Sequence, residues 1–423
     1  MSAIAKVTAA IMAATLAMSG EAVAKPLAIV NAEIYPSPNA PLISDGVVLV
    51  QDGKIIKVGT RAEVSVPKTA RVIDAHGAVL TAGFWNSHVH IMPSDLMGAK
   101  ASKAATLEEG IQAMLTHWGF TTVFDLGSST ENTLALRKRI ASGDIDGPMI
   151  LTCGDPFFPE GGTPIYVRQY LADHGWANEE VSTPKEAADR AVRQLDRGTD
   201  AVKIFAGAIV GGDIGVLPMR LDIAKAVVAE AHKRGKPAFA HPSNYAGINV
   251  AIDSGVDVLA HTTATEDGSH DPYGWTPELI ARMRAHNMAL TPTMTLFEWE
   301  AHKIHQKPEV TAQTIKLITS EVKDFSAAGG EILFGTDVGY TDAYDTTEEY
   351  RLMSGALDWR QILASLTTTP ASRFGYAAHK GRIAPGMEAD LVLLDGDPSK
   401  DPTAFARVRD TIRGGRVIWG ADR

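Results

Sequence analysis

The sequence predicts an α/β fold, a parallel (β/α)8 barrel accompanied by a small β-rich domain assembled from both chain ends. Three observations carry this expectation. Between about residues 84 and 374, short apolar runs alternate with longer amphipathic runs of helical period. The flanking segments consist instead of short alternating runs broken by Asp-Gly and Gly turns. No G-x-G-x-x-G follows an early strand, which disfavours the competing doubly wound open sheet.

In chain order, residues 1–24 come first. One early lysine, Lys6, precedes an apolar small-residue run from Val7 to Met18, and Ala22-Val23-Ala24 then gives the pattern of a secretory cleavage site. A signal peptide is expected there, with export to a periplasm or the exterior. Residues 25–80 follow as the first part of the β-rich domain, in "LAIVNAEIY", "DGVVLVQDGKIIKVG" and "ARVIDAHGAVL". The barrel is expected over 81–376. Its strands are "FWNSHVHI", "TTVFDL", "MILTC", "AVKIFAG", "PAFAH", "DVLAH", "MALTPT" and "ILFGTD". Helical patterns lie between them, with Thr106, Thr183 and Thr276 as expected N-caps. Residues 377–423 return to short strands and complete the β domain.

Composition narrows the partners. The net charge of −10 comes without any block of Lys or Arg, so nucleic acid and an anionic membrane surface are not expected. A small-molecule substrate is. The single cysteine, Cys153, forms no internal disulfide and closes an apolar run, so it reads as a packed small residue.

The chemistry-bearing residues fall at the strand ends. His88 and His90 alternate with Val89 and therefore share one side of a strand. His241 and His261 each close an apolar run, Asp337 does the same, and Lys203 sits inside one. Barrel active sites lie at the C-terminal strand ends, so six such residues together point to a site rather than to isolated core polar groups. Lys203 stands apart, because an ammonium has donors only and cannot ligate a metal. Two readings are open: a buried lysine paired with Asp337 or another carboxylate, or an amine converted by CO2 to an anionic carbamate that bridges two cations.

With "GFWNSHVHI", Lys203, His241, His261 and Asp337 in this order, the chain resembles the amidohydrolase superfamily of metal-dependent hydrolases. "GFTTVFDLG", "SGVDVLAHTT" and the tail "SLTTTPASRFGYAAHKGRIAPGMEADLVLLDGDP" bring it nearest to prolidase-like and imidazolonepropionase-like members. The resemblance implies a distorted (β/α)8 TIM barrel with a small β-sandwich domain from both termini, and often a homo-oligomer. It also implies two divalent metal ions, zinc being the best fit to nitrogen and oxygen donors without cysteine. His88, His90 and Asp337 would hold the first metal and His241 and His261 the second, with a carbamate on Lys203 between them. Asp337 would shuttle the proton from an attacking hydroxide to the leaving amine.

Departures from the family pattern narrow the subclass. Asn244 replaces the Glu that resembling deaminases carry three residues after the strand-five histidine, and Met92 replaces the Arg of dihydroorotase-like enzymes. Imidazolonepropionase itself resembles a one-metal enzyme without Lys203. Thr163 stands where prolidase-like members often carry a histidine, and Asn86 where relatives commonly carry Asp. Tyr166 and Arg168 are candidates for holding a substrate carboxylate. Tyr273, Trp275, Phe297 and Trp299 line a pocket or pack loops. The leading expectation is hydrolysis of an amide or peptide bond in a dipeptide or N-acyl amino acid. Lactone, ester or phosphotriester hydrolysis on the same metals is the alternative, and a non-catalytic binding protein on a degenerate barrel is the third.

Overall fold

The computed structural model describes residues 25–175, 180–263, 274–421 and 423. The expected signal segment and Tyr273 lie outside the described residues.

Both chain ends enter one mixed eight-stranded sheet. Leu27–Ile34 lies between Ile43–Gln51 and Val79–Ala82, and Leu391–Leu394 joins the latter with Leu391 opposite Ala82. Alternation explains its burial on two faces. Leu27, Ile29, Val48, Leu391 and Leu393 pack in one cluster, whereas Ala28, Val30, Val47 and Leu49 pack in another.

The middle of the chain forms two parallel sheets. Phe84–Val89, Phe120–Asp125 and Met149–Thr152 make the first. Val202–Phe205, Ala238–His241, Val258–Ala260, Ala289–Thr291 and Glu331–Ile332 make the second. Each of these strands overlaps an expected apolar run, but the last shares only Ile332 with "ILFGTD", whose remaining residues leave the sheet before Asp337. Parallel bridges Phe157–Ile204 and Val89–Val338 span the two junctions between the sheets. Trp85, Phe124, Phe239, Val258 and Leu333 pack together in one apolar cluster. A second, larger cluster brings helix residues such as Leu107, Val227 and Ile280 against the strands.

Two of the expected caps are present: Thr183 accepts from Glu186 N and Thr276 from Leu279 N, each at 3.2 Å. The third is not. The helix begins at Ala104 with Lys103 before it, so Thr106 falls inside the first turn. Ala104 and Ala105 are strong helix formers and extend the helix past the threonine. Some elements, among them the following two, were not named among the sequence expectations. A hairpin pairs Gly207–Gly211 with Gly215–Pro218, and "MTLFEWEAHK" is a helix, Met294–Lys303. Among the described residues no helix is long and apolar enough to cross a membrane.

Candidate active site

The six candidate residues meet where the parallel strands end. His88 lies on Phe84–Val89 and His90 just beyond it, on the same face. Lys203 is the second residue of its strand and His241 the last of its own. His261 and Asp337 follow Val258–Ala260 and Glu331–Ile332. Both adopt the left-handed backbone region, at φ 73 and 61. Non-glycine residues rarely rest there, and such strain gathers at functional sites.

Ligand atoms of His88, His261 and Asp337 all lie within 4.8 Å of one another. Asp337 Oδ1 is 3.1 Å from His88 Nε2 and 3.0 Å from His90 Nε2. The His241 ring sits 4.7 Å from that of His261, centroid to centroid. Lys203 Nζ is 3.4 Å from His88 Nε2. Among the described residues, no carboxylate lies within ion-pairing distance of Lys203, so the reading of a lysine paired with Asp337 finds no bond.

Hydrogen bonds on the far side of two rings fix their tautomers. His90 Nδ1 lies 2.7 Å from the carbonyl of Gly127, which can only accept, so Nδ1 carries the hydrogen. His261 Nδ1 lies 2.6 Å from the Thr293 hydroxyl, which itself donates to the Pro292 carbonyl at 2.8 Å. In the neutral rings, both Nε2 atoms are left as bare lone pairs. For His90 that lone pair faces a carboxylate oxygen. Asp337 Oδ1 is moreover buried with no hydrogen-bond partner. Lone pairs crowded together in this way fit a cation between them, and the donor set of imidazole and carboxylate suits zinc or a neighbouring transition metal.

Electrostatics agree with neutral imidazole ligands. Burial, and next the Lys203 charge, push His88 down to about 3 and His241 well below the usual histidine range. Burial, then His88, does the same to His261. Burial also lowers Lys203, partly offset by Asp337.

A cavity of about 720 Å³ opens over the cluster, lined by His90, Lys203, His241, His261 and Asp337 at its floor. Tyr166 lines it too, with its hydroxyl 3.5 Å from His241 Nε2. Arg168 is not among the lining residues and donates Nε to the Thr163 carbonyl at 3.0 Å. Thr163 bonds Glu180. Phe297 lines the cavity, whereas Trp275 is buried and donates to Thr263 Oγ1. Trp299 donates to Asp342. Asn86 bridges the ligand strands, donating to Thr336 Oγ1 and accepting from His88 N. Asn244 caps the helix Tyr245–Ser254 through Gly247 N. Cys153 is buried, as expected of a packed residue.

Sequence reasoning missed the groups behind the ligands. Asp125 ends its strand and accepts from Ser128, Thr133 and Thr152 hydroxyls. Ser128 accepts in turn from Ile91 N. Asp125 carried the signal used for the other residues, a polar group closing an apolar run. Thr293, the last residue of "MALTPT", carried it as well.

The model of the amidohydrolase family matches residues 79–418. An ochratoxinase of Aspergillus niger is 24% identical over 434 aligned positions, covering 92% of this chain and 87% of that protein. An enamidase of Eubacterium barkeri is 21% identical, covering 84% of this chain and 83% of its own length. Among solved structures, one described as a putative prolidase from Bifidobacterium longum superposes with a TM-score of 0.76 at 26% identity, over 95% of this chain and 97% of that one.

Proposed function

The chain belongs to the amidohydrolase family, hydrolases that act on carbon–nitrogen bonds, and from that premise we propose that it cleaves the amide or peptide bond of a dipeptide or N-acyl amino acid. The observation that carries the reading is the convergence of tautomer-fixed imidazoles on the Asp337 carboxylate beside a buried lysine that has no carboxylate partner among the described residues. In this reading the two parallel sheets and their bridges are the (β/α)8 barrel, and the sheet from both termini is its small β domain.

His88, His90 and Asp337 would hold one divalent metal, and His241 and His261 a second. A carbamate formed from Lys203 and CO2 would supply further oxygen donors beside them, and burial lowers the basicity of this amine. Divalent ions held there, zinc by donor type, would supply Lewis-acid activation of water and of the scissile carbonyl. The chain does the rest. Asp337 takes the proton of the attacking nucleophile and passes it to the leaving nitrogen. Gly127 and Thr293 keep the rings oriented. Tyr166, neutral because burial raises its hydroxyl, offers a donor to the substrate beside His241. Export through residues 1–24 and self-association belong to the same proposal.

Elemental analysis after loading tests the site: about two metals per chain are expected, and none after Lys203→Ala. A side-by-side screen of dipeptides, N-acyl amino acids, lactones and phosphotriesters tests the bond. Turnover confined to the esters would overturn the amide reading.

A further inference from the structure

Above its catalytic floor the cavity is apolar. One segment supplies Phe158, Val167 and Leu171, and the helix Met294–Lys303 supplies Leu296, Phe297 and Ala301. Three more lining residues, Ile165, Ile209 and Ile304, are 47%, 37% and 65% exposed. Side chains that line a cavity while standing this far in solvent form its mouth. Apolar surface therefore runs from the metal-binding floor to the rim. Contiguous exposed apolar surface around a concave site marks ligand binding.

Charge is scarce along this path. Apart from the candidate metal-site residues, the charged lining groups are Glu300 and Lys303, whose carboxylate and ammonium lie 3.9 Å apart. Glu300 also accepts from the Tyr340 hydroxyl. A zwitterionic dipeptide of small residues would find for its charged amine only Glu300, already engaged by Lys303 and Tyr340, and otherwise apolar walls, which is costly. It would also leave most of the volume empty, since about 720 Å³ is in the upper part of the range of roughly 300–1,000 Å³ for drug-sized ligands.

We propose that the substrate is an N-acyl amino acid whose acyl half is a large apolar group, seated between the Phe158–Leu171 segment and the Met294–Lys303 helix and reaching the isoleucine rim. This inference rests on the amide-hydrolase reading and narrows it from both substrate types to one.

The test is a chain-length series of N-acetyl-, N-butanoyl-, N-octanoyl- and N-dodecanoyl-L-alanine, with calorimetric binding of acetate and dodecanoate as a readout independent of turnover. Each added methylene is expected to raise kcat/KM by about two- to fourfold until the cavity is filled. Dodecanoate is expected to bind where acetate does not. Phe297→Ala and Ile304→Asn should each flatten the series by roughly tenfold between its ends. Ile56→Asn, at an isoleucine 48% exposed on the terminal sheet, should leave the slope intact. A flat series, with N-acetylalanine cleaved as well as the longer amides, overturns the proposal. So does a slope indifferent to Phe297 and Ile304. Dodecanoate binding that depends on Phe297 without cleavage of any amide would keep the apolar site and sink the hydrolase reading instead.

Discussion

His261 Nδ1 lies 2.6 Å from the hydroxyl of Thr293, a residue held at φ 48 directly after the strand Ala289–Thr291 and its proline. The hydroxyl spends its own hydrogen on the Pro292 carbonyl, so it can only accept from the ring. Thr293 therefore decides which nitrogen of His261 faces the site. Thr293→Val preserves shape and removes the acceptor, and it is expected to weaken metal binding about ten- to hundredfold, the usual effect of losing such a partner. Thr293→Ser should keep most of the affinity. Competition against a chromogenic chelator measures both. Equal affinity in the valine variant and the parent protein would remove Thr293 from the site.

Asp125 does for His90 what Thr293 does for His261, through two intermediaries. It accepts from Ser128 Oγ at 2.5 Å and from Thr133 and Thr152 at 2.9 Å, all buried. That fixes the turn whose Gly127 carbonyl takes the His90 Nδ1 hydrogen. Asp125→Ala strands three buried hydroxyls and is expected to lower stability by about 2–4 kcal/mol. Asp125→Asn keeps one acceptor oxygen and should recover part of that loss. Urea midpoints give the energy, and metal content per folded chain reports on His90. A destabilised Asp125→Ala protein with full metal occupancy would confine Asp125 to a scaffolding role.

How much of this was legible in the sequence follows from what each residue depends on. His88 and His90 were readable because strand alternation is local, and Lys203, His241, His261 and Asp337 because each sits in or closes an apolar run. The parallel strands were readable for the same reason. Asp125 offered an equal signal at the end of "TTVFDL" and went unused. Thr293 offered it too, closing "MALTPT", but its bond to His261 depends on another segment. Glu349 offered none, since its role depends on contacts with a segment far away in the chain. The left-handed backbone of His261 and Asp337 was hidden as well. Nothing in either residue type demands that conformation, which the packing of the strand ends imposes. The helix Met294–Lys303 was not named from the sequence, where Phe297 and Trp299 were read as lining a pocket or packing loops; Phe297 lines the cavity and Trp299 donates to Asp342.

Glu349 gives the fold a pH dependence of its own. It is buried and accepts from Met294 N and Thr295 N, holding the start of the helix that follows Thr293. Burial raises its carboxyl from 4.5 to about 7, with Glu348 adding to the rise. A raised acid is more protonated in the folded chain than in the unfolded one between those values, so stability falls as pH rises through that window. At about 1.36 kcal/mol per pH unit, the interval from 4.5 to about 7 corresponds to on the order of 3 kcal/mol. Glu349→Gln should abolish this component while costing one acceptor. Thermal midpoints recorded from pH 4.5 to 8 should fall more steeply for the parent protein than for the variant. Parallel curves would show that Glu349 ionises alike in both states.

Gly339 makes the sharpest steric prediction at the site. A Cβ there would stand 1.8 Å from the His90 carbonyl oxygen and 2.7 Å from its carbon, and the backbone sits at φ 97. Neither obstacle is the tip of a flexible side chain, so an alanine must push the end of the His90 strand away from Val338, to which His90 N donates at 2.8 Å. Gly212 offers the matched control, with φ 60 and nothing within 4 Å of its own Cβ position. Gly212→Ala is expected to lose only the conformational preference, about 1–2 kcal/mol. Gly339→Ala should lose that and more, roughly 3–5 kcal/mol in total, together with most of its bound metal, because His90 moves with the strand end. Denaturation and metal content measured on both variants separate strain from collision. If the two alanine variants matched in stability and in metal, the His90 strand end would have room to give, and the tight closure of the parallel strands at Val89–Val338 would not be what holds His90 against Asp337.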